Sequence, residues 1–379
     1  MGNLGTFIKG APLSKADITD EGTPFVLYGE LYTTYGEVTH SIKRRTDKVV
    51  EPQFYSKVGD VIMPTSGETP EDIATASCIM LPDVILAGDL LIYRTQKVDG
   101  RLVSFVVKNK VNKQISSVAQ GKSVVHVRAE ELSKISISYP SDAEQQKILT
   151  MLELLEDKMA KQRELIEHLK KYKRGVIKEF LNPRTCPIKN AVWSKATMGE
   201  LGTFVKGATL SKADISDEGT PFILYGELYT TYGEVINKVV RKTQRSVDNV
   251  YLSRSGDVLI PTSGETPEEI STASCVMVSG VILAGDLNIF RTSKVDGRIM
   301  SYVLNHIVNS NIARIAQGKS VVHIQASEIS KISISYPDEN TQQQLISVFD
   351  GISEKITLAE ESLAKMIMLK KSIIQKMFI

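Results

Sequence analysis

The segment Leu4-Gly-Thr-Phe-Ile-Lys-Gly10 returns as Leu201-Gly-Thr-Phe-Val-Lys-Gly207. The same offset of 197 residues then holds without a gap to Pro140 and Pro337. About two thirds of the aligned positions are identical, far beyond the loose periodicity of fold-level repeats. Ser14-Lys-Ala-Asp17 matches Ser211-Lys-Ala-Asp214, and Pro64-Thr-Ser-Gly-Glu-Thr-Pro70 matches Pro261-Thr-Ser-Gly-Glu-Thr-Pro267. Ala119-Gln-Gly-Lys-Ser-Val-Val-His126 matches Ala316-Gln-Gly-Lys-Ser-Val-Val-His323. A chain of 379 residues exceeds what one hydrophobic core usually fills, so a duplication of this size means two equivalent domains rather than a solenoid.

Each copy has two textures. Its first part carries short β-branched and aromatic runs punctuated by Gly and Pro, at 24–28, 60–63, 84–87 and 90–93. Ile135-Ser-Ile-Ser-Tyr139 alternates apolar and polar residues, which predicts a half-buried strand. These runs describe a β-rich α+β head. After Pro140, Ser141 or Asp142 can cap a helix, and no Gly or Pro follows until Gly175. Ile148, Leu152, Leu155, Met159, Ile166 and Leu169 recur at helical spacing, interrupted by Gln162 and Lys173. The second copy places Leu345, Phe349, Ile352, Ile356, Leu363 and Met366 in the same register, with Lys370 interrupting.

Stripes this long and narrow predict two helices, each on the order of 55 Å, that pair as a coiled coil rather than lie on their own heads. The expected organisation is a head over 1–142, a helix over 143–182, a linker over 183–196, a second head over 197–339 and a second helix over 340–379. Antiparallel pairing would relate the heads by a pseudo-two-fold axis, the symmetry of a duplex backbone, and suit two inverted half-sites.

Bulk properties bound the function loosely. A net charge of +2 is low for a nucleic-acid binder, so the arrangement of charge matters more than its total. Three scattered cysteines form neither a disulfide framework nor a zinc signature. No apolar stretch reaches 18 residues and Met1-Gly-Asn-Leu-Gly5 is no secretory leader, which points to the cytoplasm.

Signals for catalysis are weak. Gly121-Lys-Ser123 and Gly318-Lys-Ser320 resemble the end of a phosphate-binding loop, but the required upstream glycines are Ser116 and Ala313. What is left is a basic turn that can meet a phosphate or simply face solvent. No GxSxG, HExxH or GxGxxG occurs, and Asn182-Pro-Arg-Thr lacks the second proline and aromatic of an amino-methyltransferase motif. His126 and His323 repeat between β-branched residues, a pattern more typical of structural histidines. No metal site or active site is expected.

Three segments together resemble type I restriction–modification specificity subunits. One is the opening Trp193-Ser-Lys-Ala-Thr-Met-Gly-Glu-Leu-Gly-Thr-Phe-Val-Lys-Gly207 with Tyr225-Gly-Glu-Leu-Tyr229. Another is Val258-Leu-Ile-Pro-Thr-Ser-Gly-Glu-Thr266. The exit runs through Gln317-Gly-Lys-Ser and Ile332-Ser-Ile-Ser-Tyr-Pro337 to Gln342-Gln-Gln-Leu-Ile346, and the first copy has Glu144-Gln-Gln-Lys-Ile148. The first head departs from the pattern, having no equivalent of Trp193. The resemblance implies a non-catalytic, double-stranded-DNA-reading subunit between two methyltransferase subunits. Those partners would bring S-adenosylmethionine, none being bound by this chain, and a restriction/translocase subunit would join them. A two-fold scaffold that dimerises a protein partner, or an enzyme built on the Thr-Ser-Gly-Glu-Thr loop, are the competing readings.

DNA binding calls for cations toward phosphates and amides, hydroxyls or long cations toward base edges, on loops rather than apolar runs. In the first head the candidates are Lys9, Lys15, Tyr32, Thr33, Tyr35, Lys43, Arg44, Arg45, Thr65, Ser66, Glu68, Thr69, Arg94, Lys122 and Ser123. The second head offers Lys206, Lys212, Tyr229, Thr230, Tyr232, Arg241, Lys242, Thr262, Ser263, Glu265, Thr266, Arg291, Lys319 and Ser320. The copies diverge most at 39–57 against 236–254 and at 105–118 against 302–315. Such similar heads predict a nearly palindromic, interrupted target whose asymmetry maps to those stretches.

Overall fold

Asp60–Pro64 is buried at every residue, and its alternation decides what lies on each side. Val61 and Met63 point into a core shared with Leu102, Phe105 and Val106 of the helix Gly100–Asn109. Ile62 points the other way, into a core with Val26 and Leu86 of a second small sheet. The strand is therefore the middle of a five-stranded sheet covered on both faces. Its order is Gly5–Lys9, Leu90–Thr95, Asp60–Pro64, Ser77–Ile79 and Val38–Thr39. All pairs are antiparallel except the last, which is parallel. The second sheet joins Arg45–Thr46, Thr23–Leu27 and Ile85–Ala87. The expected runs at 24–28, 60–63, 84–87 and 90–93 fall on strands, except for Tyr28 and Val84 at their ends.

The computed structural model describes residues 1–121, 124–315 and 322–377. It divides into two compact units, Met1–Arg163 with Glu361–Ile379, and Glu164–Glu360. The second unit repeats the first head: Gly202–Lys206, Leu287–Thr292, Asp257–Pro261, Ser274–Val276 and Val235–Ile236 form its main sheet.

One expectation is corrected. Residues 135–139 form no strand in the first head, whereas the equivalent Ser333–Pro337 is a strand paired antiparallel with Trp193–Thr197. Among the described residues no strand pairs with 135–139. Alternation makes a segment competent for a sheet, and pairing completes it. The junction beside it is still copied: Gly2 N–H donates to Ser133 O at 3.0 Å, as Gly199 N–H does to Ser330 O at 2.9 Å.

Two long helices follow the heads, Asp142–Phe180 and Glu339–Met377, each of 39 residues, and they pack together. Gln145 and Gln342 fix their starts. Gln145 accepts Asp99 N–H at 3.0 Å and donates to Pro140 O at 3.1 Å; Gln342 accepts Asp296 N–H at 2.7 Å and donates to Pro337 O at 2.8 Å. The seam residues also serve the heads, contrary to the expectation of helix pairing alone. Ile148 and Leu152 belong to the first head's core together with Ile374. Leu345, Phe349, Ile352 and Ile356 belong to the second head's core, where the Phe349 ring stands edge-on to Tyr302 at 5.0 Å. Met159, Ile166 and Met366 are buried, while Leu155, Leu169 and Leu363 are half-buried.

The lysines that interrupt the seam have a use. In the first unit, Lys370 Nζ lies 3.1 Å from Glu37 of the head, ion-pairs with Glu156 and sits 5.3 Å over the Phe105 ring. In the second, Lys173 Nζ lies 2.9 Å from Glu234 and 5.5 Å over Tyr302. Each head thus latches to the helix that follows the other head in sequence. Lys108 adds a second cation 3.5 Å from Glu37, and His306 Nε2 lies 2.9 Å from Glu234. Burial works against the Glu234 charge, but the His306 hydrogen bond and Lys173 outweigh it and bring the carboxyl to about 2.

Candidate nucleic-acid interface

One end of each main sheet gathers the loops. Lys9 pairs with Leu91, and Pro64 with Leu90, so the end of the first strand and the exit of Asp60–Pro64 share that edge. From there the chain runs into Ser66–Gly67, which pairs antiparallel with Val125–His126. The Thr-Ser-Gly-Glu-Thr loop is thereby brought beside Val125–His126, which is more than 50 residues away in sequence. Val127 N–H donates to Thr65 O at 3.0 Å and extends the pairing. Gly121 enters the turn at φ +145°, where an added Cβ would lie 1.9 Å from Val124 O, so only glycine fits. Lys122, Ser123, Lys319 and Ser320 lie outside the described residues.

The loop is rigid from within. Tyr32 hydroxyl donates to Ser66 O at 2.7 Å, and burial pushes that hydroxyl far above its ordinary range. Ser66 is buried, its Oγ 3.3 Å from Asp89; Ser263 repeats this with Asp286 at 2.8 Å. Thr69 caps the short helix Pro70–Ile73, accepting Asp72 N–H, and Thr266 caps Pro267–Ile270 likewise. Glu68 and Glu265 stay exposed at the tip, and His126 and His323 are exposed beside them. Lys9 and Lys206 are exposed at the same sheet edge. Lys15 and Lys212 stand exposed on capped turns just after them. Thr33 and Thr230 are exposed but bond back to Gly29 O and Gly226 O. Tyr229 is half-buried, and burial raises its hydroxyl to about 12.

Other candidates are committed elsewhere. Arg94 holds Asp60 with two 3.2 Å bonds and also donates to Gln53 O and Tyr55 O, at the opposite end of the sheet; Arg291 holds Asp257 in the same way. Arg44 lies 2.8 Å from the buried Glu30 and Arg241 2.7 Å from Glu227, and each glutamate also accepts the N–H of Leu27 or Leu224. These four arginines maintain the fold. Tyr35 and Tyr232 hydroxyls accept N–H groups of Lys43 and Val240, again as internal braces. Arg45 donates to Gly22 O at 2.8 Å, and Lys43, Arg45 and Lys242 are exposed around the strands that pair with the start of Thr23–Leu27 and Thr220–Leu224.

Sequence reasoning missed Arg128 and Gln325, exposed residues that follow the buried Val127 and Ile324 on the face carrying the two histidines. The signal was a polar residue of different type two positions after the identical Val-Val-His string. Among the described residues no cluster suits a metal ion, and no helix is long and apolar enough to cross a membrane.

Two β-rich heads, each followed by a long helix, define the architecture of specificity subunits, and solved structures of that class are similar along the whole chain. The S subunit of the type I restriction-modification system from M. genitalium matches with a TM-score of 0.59 at 14% identity, covering 100% of this chain and 94% of that one. A structure described as the basis of complex assembly and conformational transition of the type I R-M system matches with a TM-score of 0.60 at 16% identity, covering 99% and 97%. No curated protein sequence matches. The model of the type I restriction modification DNA specificity domain matches residues 92–171 and 190–366, and the chain belongs to that family. Its role is DNA recognition in a type I system, whose methyltransferase and restriction subunits are its protein partners.

Proposed function

We propose that this subunit reads a bipartite, interrupted and nearly palindromic DNA target, one half with each head. The observation that carries this is a loop cluster built twice from the same residues: Tyr32, Ser66, Glu68 and His126, and again Tyr229, Ser263, Glu265 and His323. A rigid loop with exposed glutamate and histidine at its tip, flanked by exposed lysines, offers acceptors and donors to base edges and cations to phosphates.

The chain itself is non-catalytic in this reading and acts in the cytoplasm. Two methyltransferase subunits dock on it and supply S-adenosylmethionine chemistry, and restriction/translocase subunits join them. Exposed apolar side chains on the long helices support docking: Leu154 is 66% exposed and Met368 72%. The test is selection from pooled random duplexes by the chain co-expressed with its methyltransferase subunit, at several salt concentrations. Two short inverted half-sites at a fixed gap are expected. Affinity that vanishes uniformly with salt and enriches no motif would return the two-fold scaffold as the better reading.

A further inference from the structure

Arg128 and Gln325 occupy one position in the repeat register and differ in the one property that selects a base. Both are exposed and extended, with φ −108°, ψ 153° and φ −95°, ψ 147°. Each stands two residues after an exposed histidine, His126 or His323, with a buried residue between, so histidine and reader share one face of the hairpin. Val127 N–H to Thr65 O and Ile324 N–H to Thr262 O, both 3.0 Å, tie that face to the Thr-Ser-Gly-Glu-Thr loop. Neither side chain has a hydrogen bond or ion pair with the described residues, unlike Arg44, Arg94, Arg241 and Arg291, whose partners are inside the fold.

The loop cluster beside them is the same in both heads. The loops 65–69 and 262–266 are identical, as are the strings 119–126 and 316–323. Lys113 with Ser117 in one head becomes Ser310 with Arg314 in the other, one helical turn apart. Each head therefore keeps one exposed cation on that helical face, which suits an equivalent phosphate contact. The divergent stretches 39–57 and 236–254 pair instead with the start of Thr23–Leu27 and Thr220–Leu224, and their Arg44 and Arg241 are bound to buried glutamates.

We propose that Arg128 and Gln325 set the asymmetry of the target: the first head reads a guanine where the second reads an adenine at the equivalent base pair. An arginine fork matches guanine O6 and N7, and a glutamine amide matches adenine N6 and N7. The inference rests on the half-site reading above and names the side chains that distinguish the halves.

The complex with the methyltransferase subunit is carried through selection from random duplexes as wild type, Arg128→Gln and Gln325→Arg. Wild type is expected to enrich half-sites that differ by guanine against adenine at one equivalent position. Arg128→Gln should turn that guanine into adenine, and Gln325→Arg the reverse, each with a preference change of about tenfold or more. Each single variant thus makes the two halves alike. A motif left unchanged by both variants overturns the proposal, as does a wild-type motif with the same base in both halves. Uniform loss across all sequences with a shallower salt dependence makes Arg128 a phosphate contact and also overturns it. Those three results leave DNA reading intact; only a wild type that enriches no motif removes both conclusions.

Discussion

Lys173→Met isolates the latch between the second head and its helix. Lys173 and Glu234 side chains are 14% and 22% exposed, so the pair is shielded from solvent screening. Removing one partner of a buried pair costs about 3–5 kcal/mol, because a desolvated charge is left behind. Here His306 remains 2.9 Å from Glu234 and limits the loss, so about 2–3 kcal/mol is expected. The chain has one tryptophan, and it lies in this unit, on the strand Trp193–Thr197 paired with Ser333–Pro337. Its fluorescence during urea unfolding therefore reports the unit concerned. Lys170→Met provides the comparison: Lys170 pairs with Glu360 at 2.8 Å, but the two are 40% and 49% exposed, and the expected cost is under about 1 kcal/mol. The double variant Lys173→Met with Glu234→Gln should cost about 1 kcal/mol less than the sum of the single ones. If Lys173→Met proves no more damaging than Lys170→Met, the latch is not what holds helix to head.

Acid should weaken the same contact. Glu234 ionises near 2 in the folded chain against an ordinary value of 4.5, so its contribution is complete above 4.5 and is lost as pH falls from there toward 2. The Trp193-detected urea midpoint should drop across that window, and Glu234→Gln should flatten the drop. Gln342→Ala removes the bonds to Asp296 N–H and Pro337 O and should lower the unit's stability by about 1–3 kcal/mol, read from the same midpoint. Arg291→Ala strands the buried Asp257 and should cost about 3–5 kcal/mol while leaving the salt dependence of DNA binding by the surviving folded protein unchanged. A reduced salt slope would instead make Arg291 a phosphate contact.

What could be read from the sequence follows the range of the interactions involved. The duplication, the buried runs and the long helices are local patterns, and the apolar run Val61-Ile62-Met63 fell on a strand as expected. Lys370 and Glu37 are 333 residues apart, so the interrupting lysines read only as breaks in an apolar stripe. The pairing of Ser66–Gly67 with Val125–His126 spans two residues and leaves no periodic trace, although it creates the candidate surface. Arginine is ambiguous for the same reason. Arg44 and Arg94 look like free cations on loops and strand ends until Glu30 and Asp60 are seen beside them. At 135–139 the alternation predicted a strand that did not form, so a local pattern alone does not establish pairing.

The crossed latches also bear on how such a chain can change over generations. Glu37 and Glu234 hold the same place in the repeat, as do Lys173 and Lys370, so both copies of the coding sequence specify the same coupling. A segment copied from one half of the gene into the other would carry a compatible glutamate or lysine with it. The mosaic would keep its connection between head and helix while exchanging the residues that follow the hairpin. On the proposed reading, recognition is written in a replaceable stretch and the fastening in a shared one, so a new target could arise in a single genetic step without assembly having to be reinvented.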